Sequence, residues 1–176
     1  MLFSAAAQAN VVSINCGFPQ DENEYTGSFD YDLQELTVTE IFYVLYPYGG
    51  MFTIRGQVDE LSTITIIKTI TNNTGITWTG LGLGNTLGMG SGGYFVTGSF
   101  ESTKLQTITC PGEDFMVEFS GPPPVLDGES LTIQFDFKFY SPGGFFNWLS
   151  QDPIPEPTTM VLLALGGLAL IRKRRV

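Results

Sequence analysis

The stretch from Ser130 to Tyr140 constrains the fold more than any other. Leu131, Ile133, Phe135, Phe137 and Phe139 alternate with Thr132, Gln134, Asp136, Lys138 and Tyr140. Successive side chains of an extended backbone point to opposite faces, so this period of two marks a half-buried antiparallel strand. A helix would scatter the same five apolar residues around its circumference. A strand so apolar on one side needs a second layer to cover it. No amphipathic helical spacing occurs in the body of the chain, so the cover is another sheet.

Other segments read the same way. Leu36–Tyr46 is rich in β-branched and aromatic residues and ends at Pro47 and Gly49-Gly50. Phe52–Val58 makes a shorter strand. In Thr63–Thr71, Ile64, Ile66 and Ile70 face one side and Thr63, Thr65, Thr69 and Thr71 the other. Asn72-Asn73-Thr74-Gly75 turns the chain and Ile76–Thr79 returns, so 63–80 is expected to be a hairpin. Gly80–Gly93 holds many glycines, with neither a following helix nor the Lys-Ser/Thr pair of a phosphate loop, and is expected to be a long flexible connection. Tyr94–Glu101, Leu105–Cys110 and Phe115–Phe119 continue as short strands, which Pro122-Pro123-Pro124 interrupts. Phe145-Phe146-Asn147-Trp148 is a last strand or an aromatic plug. About eight strands joined by Gly/Pro turns predict an all-β fold, an Ig-like or jelly-roll-type antiparallel β-sandwich over residues 10–148. Lys68, Lys104 and Lys138 are expected as edge charges that discourage sheet-to-sheet pairing.

The chain's end follows a different grammar. Pro155-Glu156-Pro157 closes a linker over 149–157, stiffened by prolines that cannot lie inside a helix. Met160–Ile171 then carries no charge, and Arg172-Lys173-Arg174-Arg175 follows it. Thr158 or Thr159 is suited to N-cap a helix there, and the four cations suit its C-terminal dipole and resist crossing a bilayer. The apolar run spans about 18 Å at helical rise, short of the roughly 30 Å hydrocarbon core, so snorkelling Arg and Lys stems must extend it. Residues 158–176 are thus expected to be a single C-terminal hydrophobic helix with a basic tail, its cations on the cytoplasmic side. A run of this length also suits a buried core helix, which is the competing reading.

The combination of Pro155-Glu156-Pro157, the apolar helix Met160–Ile171 with Gly166-Gly167, and the cluster Arg172–Arg175 resembles the PEP-CTERM sorting signal of exported proteins in many Gram-negative bacteria. The resemblance covers only the last 22 residues. It implies recognition, and usually cleavage, by an inner-membrane exosortase. The precursor would be held in the inner membrane by its helix and then delivered to the cell surface or extracellular matrix. At the other end, Ala7-Gln8-Ala9 has the form of a signal-peptidase site, making residues 1–9 a signal-peptide remnant with Met1 an internal methionine; an ordinary N-terminal strand is the alternative.

Charge and composition then narrow the function. Net charge is −10, but four of the eight basic residues lie in 172–175, so residues 1–157 set 4 basic against 18 acidic groups. Such a surface repels nucleic acid and anionic lipid. The absence of His removes His-based triads and His-ligated metal sites. Cys16 and Cys110 are the only cysteines and, in an exported chain, are expected to pair across a loop of about 95 residues. Ser13-Ile14-Asn15 before Cys16 lacks the small residue expected just ahead of a lipidated cysteine, which argues against a lipoprotein anchor there.

Asp30-x-Asp32, in the polar stretch 19–32, has the spacing for two oxygen ligands to Ca²⁺ but lacks an EF-hand's Gly and closing Glu; a solvated loop is the other reading. No other metal or cofactor is expected. Trp78, Trp148 and Tyr94 are either core aromatics or rings that stack on sugars. Enzymatic acid-base work would need paired carboxylates, and nothing in the sequence pairs Asp136, Glu101 or Glu118. The expectation is therefore an exported, non-enzymatic surface or matrix protein, with a carbohydrate-binding module that takes polysaccharide as the alternative.

Overall fold

The structure, a computed structural model, describes residues 11–17, 24–43, 50–58, 62–90, 92–111 and 115–157. These carry β1 (Val11–Gly17), β2 (Glu24–Asp30), β3 (Glu35–Phe42), β4 (Gly50–Val58), β5 (Thr63–Asn72), β6 (Trp78–Gly90), β7 (Gly93–Phe95), β8 (Glu101–Ser102), β9 (Thr107–Thr109), β10 (Met116–Val125), β11 (Ser130–Phe139) and β12 (Gly143–Pro155). They form two six-stranded sheets. Sheet A has the order β1-β4-β12-β6-β10-β9, and sheet B the order β2-β3-β5-β11-β7, with β8 also paired to β11. All described pairings are antiparallel except β3 with β5, which run parallel because β4 lies between them in sequence but in the other sheet. The all-β, sandwich-like expectation holds. The predicted C-terminal helix, the signal-peptide remnant and the basic tail lie outside the described residues. Among the described residues no helix is long and apolar enough to cross a membrane.

The alternation in β11 does what its sequence predicts. Leu131, Ile133, Phe135, Phe137 and Phe139 are all buried, and β5 turns Ile64, Ile66 and Ile70 into the same core. Phe139 of β11 meets Phe145 of β12 at 4.4 Å between ring centroids, which joins the two sheets. Phe100 bridges Phe135 in sheet B and Phe119 in sheet A at 5.8 and 6.1 Å. Rings at these separations add about 0.5–1.5 kcal/mol per pair beyond their area burial.

Four expectations about connections change. Residues 24–30, expected within a polar loop, form β2 and pair with β3. Residues 63–80 are not a hairpin: β5 belongs to sheet B and β6 to sheet A, so the chain turns a corner between sheets at Asn72–Trp78. Gly80–Gly93 is no flexible connection, because residues 78–90 are β6, a central strand of sheet A. Its Leu81 and Leu83 are buried while Gly80, Gly82 and Gly84 take the outer side. A Cβ on Gly84 would come within 2.4 Å of Ser150 Oγ on the neighbouring strand. Glycine is thus required by close approach across the sheet, a signal easily mistaken for flexibility. Lastly, Pro122-Pro123-Pro124 lies inside β10, where a register shift between Ser120 and Val125 accommodates it.

The corner is built on a buried amide. Asn72 Nδ2 donates to the carbonyls of Ile76 (2.7 Å) and Val125 (3.1 Å). Its Oδ1 accepts from the Thr74 amide (3.1 Å) and hydroxyl (2.7 Å). Thr74 Oγ1 in turn accepts the indole N–H of Trp78 at 3.2 Å. Every hydrogen-bonding position of the Asn72 amide group is occupied, as burial away from water demands.

Candidate functional site

The Pro-Glu-Pro sequence ends the last strand of the sandwich. β12 pairs with β4 from Gly143 to Gln151 and with β6 from Phe145 to Pro155. Residues 149–155, expected as linker, are therefore sheet. β4 as described begins at Gly50, opposite Gln151, so among the described residues β12 pairs only with β6 from residue 152 on. The Glu156 amide donates to Thr77 O at 3.0 Å on the β6 side. Alternate residues of a strand aim their N–H groups at opposite neighbours. Pro153 and Pro155 thus fall where the missing N–H faces away from β6, on the side where no described strand pairs, the edge-type position that proline tolerates. Thr79 Oγ1 approaches the carbonyls of Ile154 and Pro155 at 3.5 Å each. Glu156 is half-buried and Pro157 exposed at this end of the sandwich, beside the Asn72 corner. Pro155 is thus paired in the sheet and Glu156 is tied to it by one backbone hydrogen bond, while Arg172, Lys173, Arg174 and Arg175 lie outside the described residues.

The remaining candidates separate. Cys110 is a free cysteine, and the expected pair with Cys16 is not made. The strands explain why: Cys16 is in β1 and Cys110 follows β9, at opposite edges of sheet A. Five inter-strand steps of roughly 4.8 Å separate those edges, whereas a disulfide needs Cα atoms within about 7 Å. Asp30 is engaged locally by one of its carboxylate oxygens. Its Oδ1 accepts the amides of Asp32 (2.9 Å) and Leu33 (3.0 Å) and caps the β2–β3 turn. Among the described residues no group of three or more His, Cys, Asp or Glu converges as a metal site.

The three aromatic candidates do not share a face. Trp78 is 0% exposed, edge-on to Phe42 at 5.6 Å, and is a core residue and not a sugar platform. Trp148 is 41% exposed on the outside of sheet A, with Phe146 at 5.6 Å. Tyr94 belongs to β7 in sheet B and packs against Tyr140 at 5.1 Å. The carboxylates divide between the sheets: Asp136 is in β11 of sheet B, accepting from Thr65 Oγ1 at 2.9 Å, with Glu101 of β8 opposite Gln134 on the same strand, and Glu118 is in β10 of sheet A. Asp152, next to the Pro-Glu-Pro sequence, has its carboxyl raised above the usual carboxylate range by burial.

Sequence reasoning missed one cluster. Lys68, read as an edge charge, is fully buried in β5, a central strand of sheet B. Its Nζ lies 2.5 Å from Glu40 Oε2, and the same oxygen accepts Gln151 Nε2 at 2.6 Å. The signal was available in the alternation, because 68 shares the inward parity of Ile64, Ile66 and Ile70. Of the other two lysines, Lys104 pairs with Glu129 at 2.5 Å, and Lys138 is exposed on the central strand β11.

Comparison with known protein families finds the PEP-CTERM protein-sorting motif at residues 153–175, which contains the Pro-Glu-Pro sequence and the segment after it. No curated protein and no solved structure matches the chain.

Proposed function

Because the chain carries a PEP-CTERM protein-sorting motif, we propose that it is an exported, non-enzymatic cell-surface or extracellular-matrix protein. In this reading its C-terminal segment holds the precursor in the inner membrane until an exosortase recognises and cuts it. The observation that carries the proposal is positional. The last described strand of the sandwich carries Pro155 in the sheet and brings Glu156 and Pro157 to one end of it. An enzyme reading a short extended segment meets a pre-ordered backbone there and loses less conformational entropy on binding. The lack of His, and the separation of Glu118 in sheet A from Glu101 and Asp136 in sheet B, support a structural role for the body.

The test replaces Pro155, Glu156 and Pro157 by alanine in the full chain, followed by cell fractionation and intact mass. The expected result is an uncut precursor accumulating in the inner membrane. Unchanged mass and unchanged destination would defeat the proposal. A second reading, polysaccharide binding, rests on exposed Trp148 alone; Trp148→Ala would then abolish retention on a polysaccharide affinity gel.

A further inference from the structure

Glu40, Lys68 and Gln151 come from three strands and from both sheets: β3 and β5 in sheet B, β12 in sheet A. All three are 0% exposed. Their neighbours along the strands are apolar, with Val38 and Phe42 flanking Glu40, Ile66 and Ile70 flanking Lys68, and Leu149 preceding Gln151 on the inward face. One carboxylate oxygen, Glu40 Oε2, contacts both the Lys68 amine and the Gln151 amide nitrogen. Those two contacts, 2.5 and 2.6 Å to one oxygen, keep the amine and the amide nitrogen no more than about 5 Å apart, so a side-chain rotation suffices to bring Nζ to the amide carbon. Gln151 Oε1 accepts no hydrogen bond among the described residues.

A buried ion pair is a poor way to stabilise a core, because desolvation of both charges offsets their attraction. An amine, an amide carbonyl and a shared carboxyl group in a dry site are, however, the parts of an amide-exchange reaction. We propose that Lys68 and Gln151 form an intramolecular isopeptide bond across the two sheets, with Glu40 as the proton-transfer group. Lys68 passes a proton to Glu40 Oε2 across the 2.5 Å contact. The freed Nζ lone pair attacks Gln151 Cδ, and the carbonyl π pair moves onto Oε1. Glu40 gives its proton to Nε2 and receives the one that Nζ sheds. The Cδ–Nε2 bond then breaks, its electron pair leaving with ammonia, and the Oε1 lone pair restores the carbonyl. One C–N bond forms and one breaks, no redox partner is needed, and the product leaves a neutral amide and a protonated carboxyl where two charges stood.

The position of the bond matters to the reading of the chain's end. Gln151 lies four residues before Pro155 on the same strand. A pull arriving from the C-terminal segment through β12 would pass covalently into sheet B at Lys68, before the hydrogen bonds between β12 and β4 are loaded.

The experiment is intact mass of the folded, full-length chain under denaturing conditions, followed by tryptic mapping. The expected result is a deficit of about 17 Da, the mass of ammonia, with a branched peptide joining Lys68 to Gln151 and no cleavage after residue 68. Lys68→Arg and Glu40→Gln are expected to restore the full mass. Should those variants fail to fold, Gln151→Glu provides an independent reading. It keeps the side-chain shape and is expected to lose water instead, reaching the same final mass as the parent. Full mass in the folded parent chain overturns the proposal. So does a deficit of about 18 Da in the parent that maps to Lys68 and Glu40, since that would make Glu40 the acyl group and not the proton carrier.

Discussion

Replacing Asn72 by alanine tests whether the corner between the sheets depends on its buried amide. The substitution removes two donors, to Ile76 O and Val125 O, and an acceptor used twice by Thr74. A net hydrogen bond contributes about 1 kcal/mol, and an abandoned buried partner costs about 1–3 kcal/mol. The Val125 bond is fully buried, whereas the other three are partly accessible, so water restores part of their loss. About 2 kcal/mol for the Val125 carbonyl and roughly 0.5 kcal/mol for each of the others gives about 3–4 kcal/mol. For a chain of this size that lowers the melting temperature by roughly 10 °C. Asn73→Ala, one residue on and exposed, is expected to stay within about 0.5 kcal/mol of the parent. The assay is urea and thermal unfolding of the full chain in mild detergent. A loss below about 1 kcal/mol, or equal losses for the two variants, would refute the claim that the Asn72 side chain holds the corner.

Three further outcomes follow from the geometry. Glu129 is held below the usual carboxylate range by its hydrogen bond with Lys104 and by the Leu126 amide. Its stabilising effect is therefore present above the carboxyl's unfolded value and lost as pH falls through the lower folded one; Glu129→Gln should lower the melting temperature at pH 7 and match the parent in strong acid. Asp152 has the opposite sign: burial raises its carboxyl, so ionisation costs stability, and Asp152→Asn should melt higher than the parent at neutral pH, with the gain vanishing as acid protonates the parent. Acrylamide quenching should act on Trp148, 41% exposed, and spare buried Trp78, so that Trp148→Phe leaves emission that the quencher scarcely reduces.

Much of the fold is legible locally. The inward parity of Leu131 to Phe139 and of Ile64 to Ile70 is a property of an extended backbone and needs no knowledge of what covers it. The Pro-Glu-Pro sequence, the apolar run and the cations are likewise contiguous, so residues 153–175 declare a sorting motif without any fold. Local reading fails where two structures share one pattern. Alternating Gly and Leu at 80–84 is both loose in composition and a strand that a neighbour packs against, and only the approach of Ser150 tells them apart. Trp78 illustrates the same limit, since an aromatic after a turn is equally suited to a surface or to the interior where Phe42 meets it.

What the sequence by itself determined are the properties carried by neighbours in the chain: an all-β body with its strand faces, and the address at its end. Only the tertiary structure decided which distant residues meet. Gln151 reaches Glu40 over a separation of 111 residues because β12 was inserted between β4 and β6 opposite β3 and β5. Strand order also kept Cys16 and Cys110 at opposite edges of one sheet. The physical reason is the same in each case. Backbone geometry sets the face a side chain takes, while its partner is set by how the sheets close over their shared apolar core.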